Sequence, residues 1–164
     1  MGSALMIYRY SAVFTCLLLN TVRDITTGRI HPGATLFLFG AGSAYLTACI
    51  GAAGEGTVDL PASLPGTGGL FGILLPFIPG ILLFILCRIS NEAIGAGDTY
   101  IIFILGFFHT AIEMLVIVSA SFAAAGIYAA IRLSATKKNG SCSFPFVPFI
   151  TTAWTAYAVF SFVR

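Results

Sequence analysis

From Thr99 to Ile131 the chain carries no charged or imidazole side chain except His109 and Glu113, and apolar runs of this kind recur along its length. As one continuous helix that stretch would extend about 50 Å, whereas the hydrocarbon core of a bilayer is roughly 30 Å thick. A tight turn around His109 to Ile112 resolves the excess and divides the run into two spans, the first starting a little before Asp98. The same reading along the chain predicts spans near Ala4 to Val22, Gly33 to Ala53, Gly69 to Cys87, Asp98 to Phe108, Ala111 to Ile131 and Phe146 to Val163.

The fold class expected is therefore all-α: a polytopic membrane protein of about six transmembrane helices, forming one domain over residues 1–164. With 58% hydrophobic and only 9% charged residues, no stretch is left from which to build a separate soluble domain. A net charge of +2, with basic residues scattered singly or in pairs, argues against nucleic acid as a partner. Cys16, Cys49, Cys87 and Cys142 lie far apart without C-x-x-C spacing and read as small packing residues, so neither a metal nor a cofactor is expected. The first apolar stretch has no basic region ahead of it and reads as a retained helix.

Loop charge orients the spans. Six crossings place Arg23, Arg29, Arg88, Arg132, Lys137 and Lys138 on one side, while the opposite loops hold Glu55 and Asp59 and no Lys or Arg. Excess Lys and Arg mark the cytoplasmic side, so both termini are expected outside, in a multi-pass protein of the cytoplasmic membrane. Arg9 belongs to neither loop and is expected to reach toward the outer headgroups from the first helix.

In this topology Asp24 follows the first span and Asp98 opens the fourth, and two complete crossings separate them. Both carboxylates then emerge on the cytoplasmic face and can meet if the first and fourth helices are neighbours. Two close carboxylates cannot both ionise cheaply, so a pair holds one proton between them. The charged partner can deprotonate a water while the protonated one polarises a peptide carbonyl, which is aspartyl protease chemistry. Gly95 and Gly97, flanking the second carboxylate, allow positive φ and close approach of a substrate backbone. Taken singly, Asp24 reads equally as a loop residue paired with Arg23 or Arg29, and Asp98 as a helix N-cap.

The segment Glu92-Ala93-Ile94-Gly95-Ala96-Gly97-Asp98 resembles the surroundings of the second catalytic Asp of type IV prepilin peptidases, membrane aspartyl proteases that include the preflagellin peptidases. Asp24-Ile25-Thr26-Thr27-Gly28-Arg29-Ile30 is similar to the family's first catalytic Asp with its following basic residue and isoleucine. Phe144-Pro145-Phe146-Val147-Pro148-Phe149 resembles the Pro-Phe-x-Pro-Phe segment that opens the family's last helix. The resemblance implies Asp24 and Asp98 as the catalytic pair. Its implied substrates are pilin-like precursors, cut after a glycine that joins a short basic cytoplasmic leader to a hydrophobic helix. It also implies a short form without the amino-terminal domain of the bifunctional members. Two departures bear on substrate contacts: Ile30-His31-Pro32-Gly33 stands where Ile-Pro-Asn is common, and Thr99-Tyr100 where a Val-Lys pair is usual.

Other features carry bland readings beside sharper ones. His109 and Glu113, four apart, share a helical face if the helix is continuous, and read as a polar turn at the outer surface. Pro76, Pro79 and Gly80 interrupt the third span, as a fixed kink or as a gate for a substrate helix. Lys137 and Lys138 read as a loop near anionic headgroups. Ala123, Ala124, Ala125, Gly126, Ala129 and Ala130 permit close helix packing, within the chain or between copies. The competing functions are a small transporter or ion-conducting protein, motivated by Asp24, Asp98 and Glu113, and a noncatalytic assembly factor with the same fold.

Overall fold

The structure, a computed structural model, describes residues 2–54, 70–89, 95–135 and 145–163. Among these, all regular structure is helical. The helices are α1 (Gly2–Thr27), α2 (Pro32–Gly54), α3 (Leu70–Leu74), α4 (Ile78–Ile89), α5 (Ala96–Leu105), α6 (Ala111–Ala135) and α7 (Val147–Val163), with a 3-10 turn at Leu75–Phe77 between α3 and α4. Four stretches are long and apolar enough to cross a membrane: Ala4–Thr27, Pro32–Gly51, Gly72–Ile89 and Ala111–Arg132. Helices α5 and α7, of 10 and 17 residues, are shorter. The loop charges Glu55, Asp59, Lys137 and Lys138, with Glu92, Cys142 and Phe144, lie outside the described residues.

The bundle is apolar on its surface and partly polar inside. Ile7, Leu36, Phe37, Ile127, Phe160 and Phe162 are all more than half exposed, whereas Asn20, Asp24, Thr99, His109 and Ser121 are buried. Water would not tolerate so continuous an apolar surface, whereas lipid does, and the arrangement is compatible with a membrane protein.

Helix α5 is short and, beyond its first turn, largely buried. At 1.5 Å per residue it spans about 15 Å, half a hydrocarbon core, and every residue from Ile101 to Leu105 is apolar. Ile101, Ile102, Ile104 and Leu105 are almost wholly buried, within a core that also takes Val13 and Leu17 from α1, Leu38 and Tyr45 from α2, and Trp154 from α7. Helix α1 packs mainly against α2 and α7, and α5 mainly against α4 and, less extensively, α2.

The proline-bearing segment is held by packing. Pro76 lies in the 3-10 turn and is buried, and Pro79 falls in the first turn of α4, where no intrahelical N–H bond is forfeited. A Cβ on Gly80 would stand 2.6 Å from the Phe103 Cα, so α4 and α5 approach backbone to backbone there. Cys16, Cys49 and Cys87 are buried between helices.

Candidate active site

The first carboxylate sits inside a helix and not after one. The first span was expected to end at Val22, but α1 continues to Thr27, placing Asp24 in its last turns. The extra turn is held from its own residues: Thr26 and Thr27 hydroxyls donate back to the Val22 and Arg23 carbonyls at 2.8 Å. Gly28 then ends the helix at φ 60, its N–H donating to the Asp24 carbonyl at 2.9 Å, a left-handed cap that favours glycine.

The Asp24 carboxylate reaches neither Arg23 nor Arg29. It is 8% exposed, and its Oδ2 accepts the backbone N–H of Val147 at 3.1 Å. Val147 is the first residue of α7, so the carboxylate satisfies one of the amide donors that a helix start leaves open and lies at the positive end of that helix. One turn deeper, the Thr21 and Thr151 hydroxyls meet at 2.6 Å, joining the same two helices. The Pro145 to Phe149 segment thereby acquires a physical role: it delivers the start of α7 to the first acidic residue.

The second carboxylate opens α5. The N-cap is Gly95, without a side-chain cap bond, and Asp98 lies in the first turn with its N–H donating to the Gly95 carbonyl at 3.1 Å. Asp98 is therefore not the N-cap. Gly95 and Gly97 serve through the space they leave, not through positive φ as expected: Gly95 has φ −56 and Gly97 is helical. A Cβ on Gly95 would lie 2.9 Å from the Asp98 Oδ2, and one on Gly97 would lie 2.3 Å from the Ile30 Cδ1. The first glycine leaves room for the carboxylate; the second lets the start of α5 close onto the turn between α1 and α2.

That turn is the third component of the site. Asn20, fully buried one helical turn before Asp24, donates to the Cys16 carbonyl at 3.0 Å, and its Oδ1 accepts the His31 N–H at 3.0 Å. The His31 Nδ1 accepts the Ala34 N–H at 3.3 Å, capping α2, while Pro32 occupies the first helical position, where its missing N–H is no loss. The His31-Pro32 departure thus builds a helix start. Ile30 is carried against Gly97, and Asp98 lies close enough to Asp24 for the two charges to act on each other. Between α1 and α5 the α1–α2 turn makes the link near the acids, its Ile30 meeting Gly97, while the start of α7 is tied to Asp24.

Thr99 and Tyr100 diverge. Thr99 is buried, with its hydroxyl toward the Gly95 carbonyl, and Tyr100 is half exposed on the outer side of α5. Asn20 and the Val147 amide were not singled out from sequence, and Ile30 and His31 entered only as parts of motifs, without these roles. Asn20 had a usable signal, an amide inside an apolar run four residues before an acid.

Arg9, His109 and Glu113 form a separate cluster, with Arg9 and His109 buried and Glu113 partly so; the turn expected at His109 is present, but its imidazole is not at the surface and Arg9 does not reach outward. Arg9 is 7% exposed and paired with Glu113 instead of reaching outward. Glu113 also accepts the Tyr157 hydroxyl at 2.7 Å and the Thr110 N–H at 2.9 Å, which together offset the desolvation of its charge. The chain is not helical from Gly106 to Thr110, so His109 lies in a turn and not on the face of α6. It is buried, and its Nε2 accepts the Trp154 Nε1–H at 2.9 Å. Indole N–H only donates, so the imidazole proton is on Nδ1, which donates to the Leu105 carbonyl at 3.0 Å. Burial lowers the His109 pKa to about 4, and the Arg9 cation acts in the same direction. With their own partners in place, neither His109 nor Glu113 presents a free ligand set; among the described residues no three metal-binding side chains gather.

Comparison with protein families, with characterised proteins and with solved structures finds no match to this chain.

Proposed function

We propose that the protein is a membrane-embedded aspartyl endopeptidase of the prepilin peptidase type, with Asp24 and Asp98 as its catalytic pair. In this reading the chain crosses the cytoplasmic membrane six times with both termini outside, α3 and α4 together making one crossing and α5 with the turn that follows it making a short one. The substrates are pilin-like precursors whose short basic leader is removed on the cytoplasmic side by cleavage after glycine. The observation that carries the reading is the convergence of two acids from distant stretches, Asp24 and Asp98, within electrostatic reach of each other.

The chemistry follows from that proximity. Two carboxylates sharing a site hold one proton, so one is a base and the other an acid at the same pH. The base takes a proton from water as the water oxygen bonds to the scissile carbonyl carbon; the acid hydrogen-bonds the carbonyl oxygen as charge develops there. When the C–N bond breaks, a proton passes to the leaving amine, and the pair returns to its singly protonated state. Gly95 leaves the Asp98 carboxylate its room, and Gly97 admits the Ile30 side chain that sets the start of α5 against the α1–α2 turn.

The test is reconstitution of the purified protein into vesicles with a panel of precursors bearing a basic leader, a glycine and a hydrophobic helix. Cleavage after the glycine, abolished by Asp98→Asn, is the expected result. Ion or solute flux without cleavage would favour the transporter, and binding without cleavage the noncatalytic assembly factor.

A further inference from the structure

Two apolar cavities adjoin on the outer side of α5. One, of about 340 Å³, lies between α4 and α5, walled by Gly80, Ile81 and Phe84 on one side and Thr99 and Phe103 on the other. The second, of about 390 Å³, lies between the start of α2 and α5 and extends from Pro32 and Leu36 to Ile30 and Gly97. Phe39, Tyr100 and Ile104 line both, so the two form one trough. It ends at Gly97, the residue before Asp98.

We propose that this trough seats the apolar segment of the peptide substrate that follows the scissile bond. The inference rests on the endopeptidase reading for the position of that bond. Three observations select this occupant. The trough reaches Gly97 and Thr99, the residues on either side of Asp98, so the chain beyond a bond cut at Asp98 has the trough beside it. No charged side chain lines it, and its polar groups are the hydroxyls of Thr35, Thr99 and Tyr100, so it suits a hydrophobic segment and rejects a basic leader. Each cavity falls within the range of roughly 300–1,000 Å³ typical of ligand pockets. With so few wall donors and acceptors, the occupant keeps its backbone bonded to itself and remains helical beyond the residues next to the cut. The depth under Gly80 depends on that glycine, because a Cβ there would displace the Phe103 backbone.

The experiment places a photo-crosslinking benzoylphenylalanine at Leu36, at Ile81 and, as control, at Ile127 on α6; all three side chains are well exposed. The protein carries Asp98→Asn and is reconstituted in phosphatidylethanolamine and phosphatidylglycerol vesicles with a precursor of basic leader, glycine and an apolar helix of about 20 residues. Adducts from positions 36 and 81 mapping after the glycine, at least about tenfold above position 127, are expected for a specific seat. Adducts to lipid alone, to the leader, or equally from all three positions overturn the proposal. Independently, Leu36→Trp and Ile81→Trp in the active chain fill the trough and raise KM about tenfold with kcat little changed. Cleavage with unaltered KM in both variants also overturns it. Failure of the unmodified protein to cleave any precursor overturns the endopeptidase reading instead, and the crosslinks then decide the trough by themselves.

Discussion

The backbone N–H of Val147 donates to the Asp24 Oδ2 at 3.1 Å, so one carboxylate both closes the start of α7 and lies within electrostatic reach of Asp98. Its structural and proposed chemical duties are separable by substitution. Asp24→Ala removes the acceptor and lowers stability by about 1–2 kcal/mol, in the range of a lost helix cap. Asp24→Asn keeps an oxygen toward Val147 and most of that stability, yet lowers cleavage at least about 100-fold because an amide cannot share or exchange the pair's proton. Thermal unfolding in detergent alongside precursor cleavage checks both; an active Asp24→Asn protein would remove Asp24 from the chemistry.

Gly97→Ala sets helix propensity against sterics. Alanine favours a helix over glycine by about 1 kcal/mol, but its Cβ would lie 2.3 Å from the Ile30 Cδ1 and push α5 off the α1–α2 turn. The expected outcome is a protein of near-normal stability with cleavage reduced about tenfold or more, since small displacements of a reacting group are costly. Gly97→Ala with Ile30→Ala removes the clash, and recovery of cleavage in the double variant is the measurement that checks it.

The Arg9–Glu113 pair ties α1 to α6 in the bundle. Glu113→Leu leaves the Arg9 charge buried without its partner and strips Tyr157 and Thr110 of an acceptor, so a loss of about 3–5 kcal/mol is expected. Adding Arg9→Met to Glu113→Leu recovers a substantial part of it, because the orphaned charge is what destabilises. Denaturation midpoints of the two singles and the double give the coupling.

His109 makes stability pH-dependent in a defined direction. Its pKa falls from 6.5 to about 4 on folding, so between those values the unfolded chain binds more protons and stability rises with pH. Acidification from pH 6.5 toward 4 should lower the unfolding temperature, and His109→Gln should flatten this slope. Trp154 fluorescence reports the same event locally, since its Nε1–H loses its acceptor once the imidazole is protonated. An unchanged slope in His109→Gln would show that other groups govern it.

The helical segments and the break between the fourth and fifth spans were legible because each follows from local physics: apolar length, proline and glycine positions, and a run too long for a single crossing. Within the candidate site, the acids and their glycines were also legible, as charges where hydrocarbon begins. The reasons for the glycines were not. Gly97 is read from sequence as a backbone freedom, and only its contact with Ile30, 67 positions away in the chain, identifies it as a gap left for a neighbour.

Arg9 and Glu113 mark the same boundary. Sequence places each at an end of an apolar run, where reaching for the headgroups or lying in a surface turn is the locally cheapest outcome. Their pairing requires α1 and α6 to bring opposite charges together within a bundle that also supplies Tyr157 and Thr110. Composition and apolar run length by themselves determined that this chain is helical, suited to a membrane and equipped with two acids at the ends of apolar runs, because those properties depend on residues near one another in the chain. Which polar groups find partners, and that Asp24 is held by the first amide of α7, only the tertiary structure decided, because such bonds join residues more than a hundred positions apart.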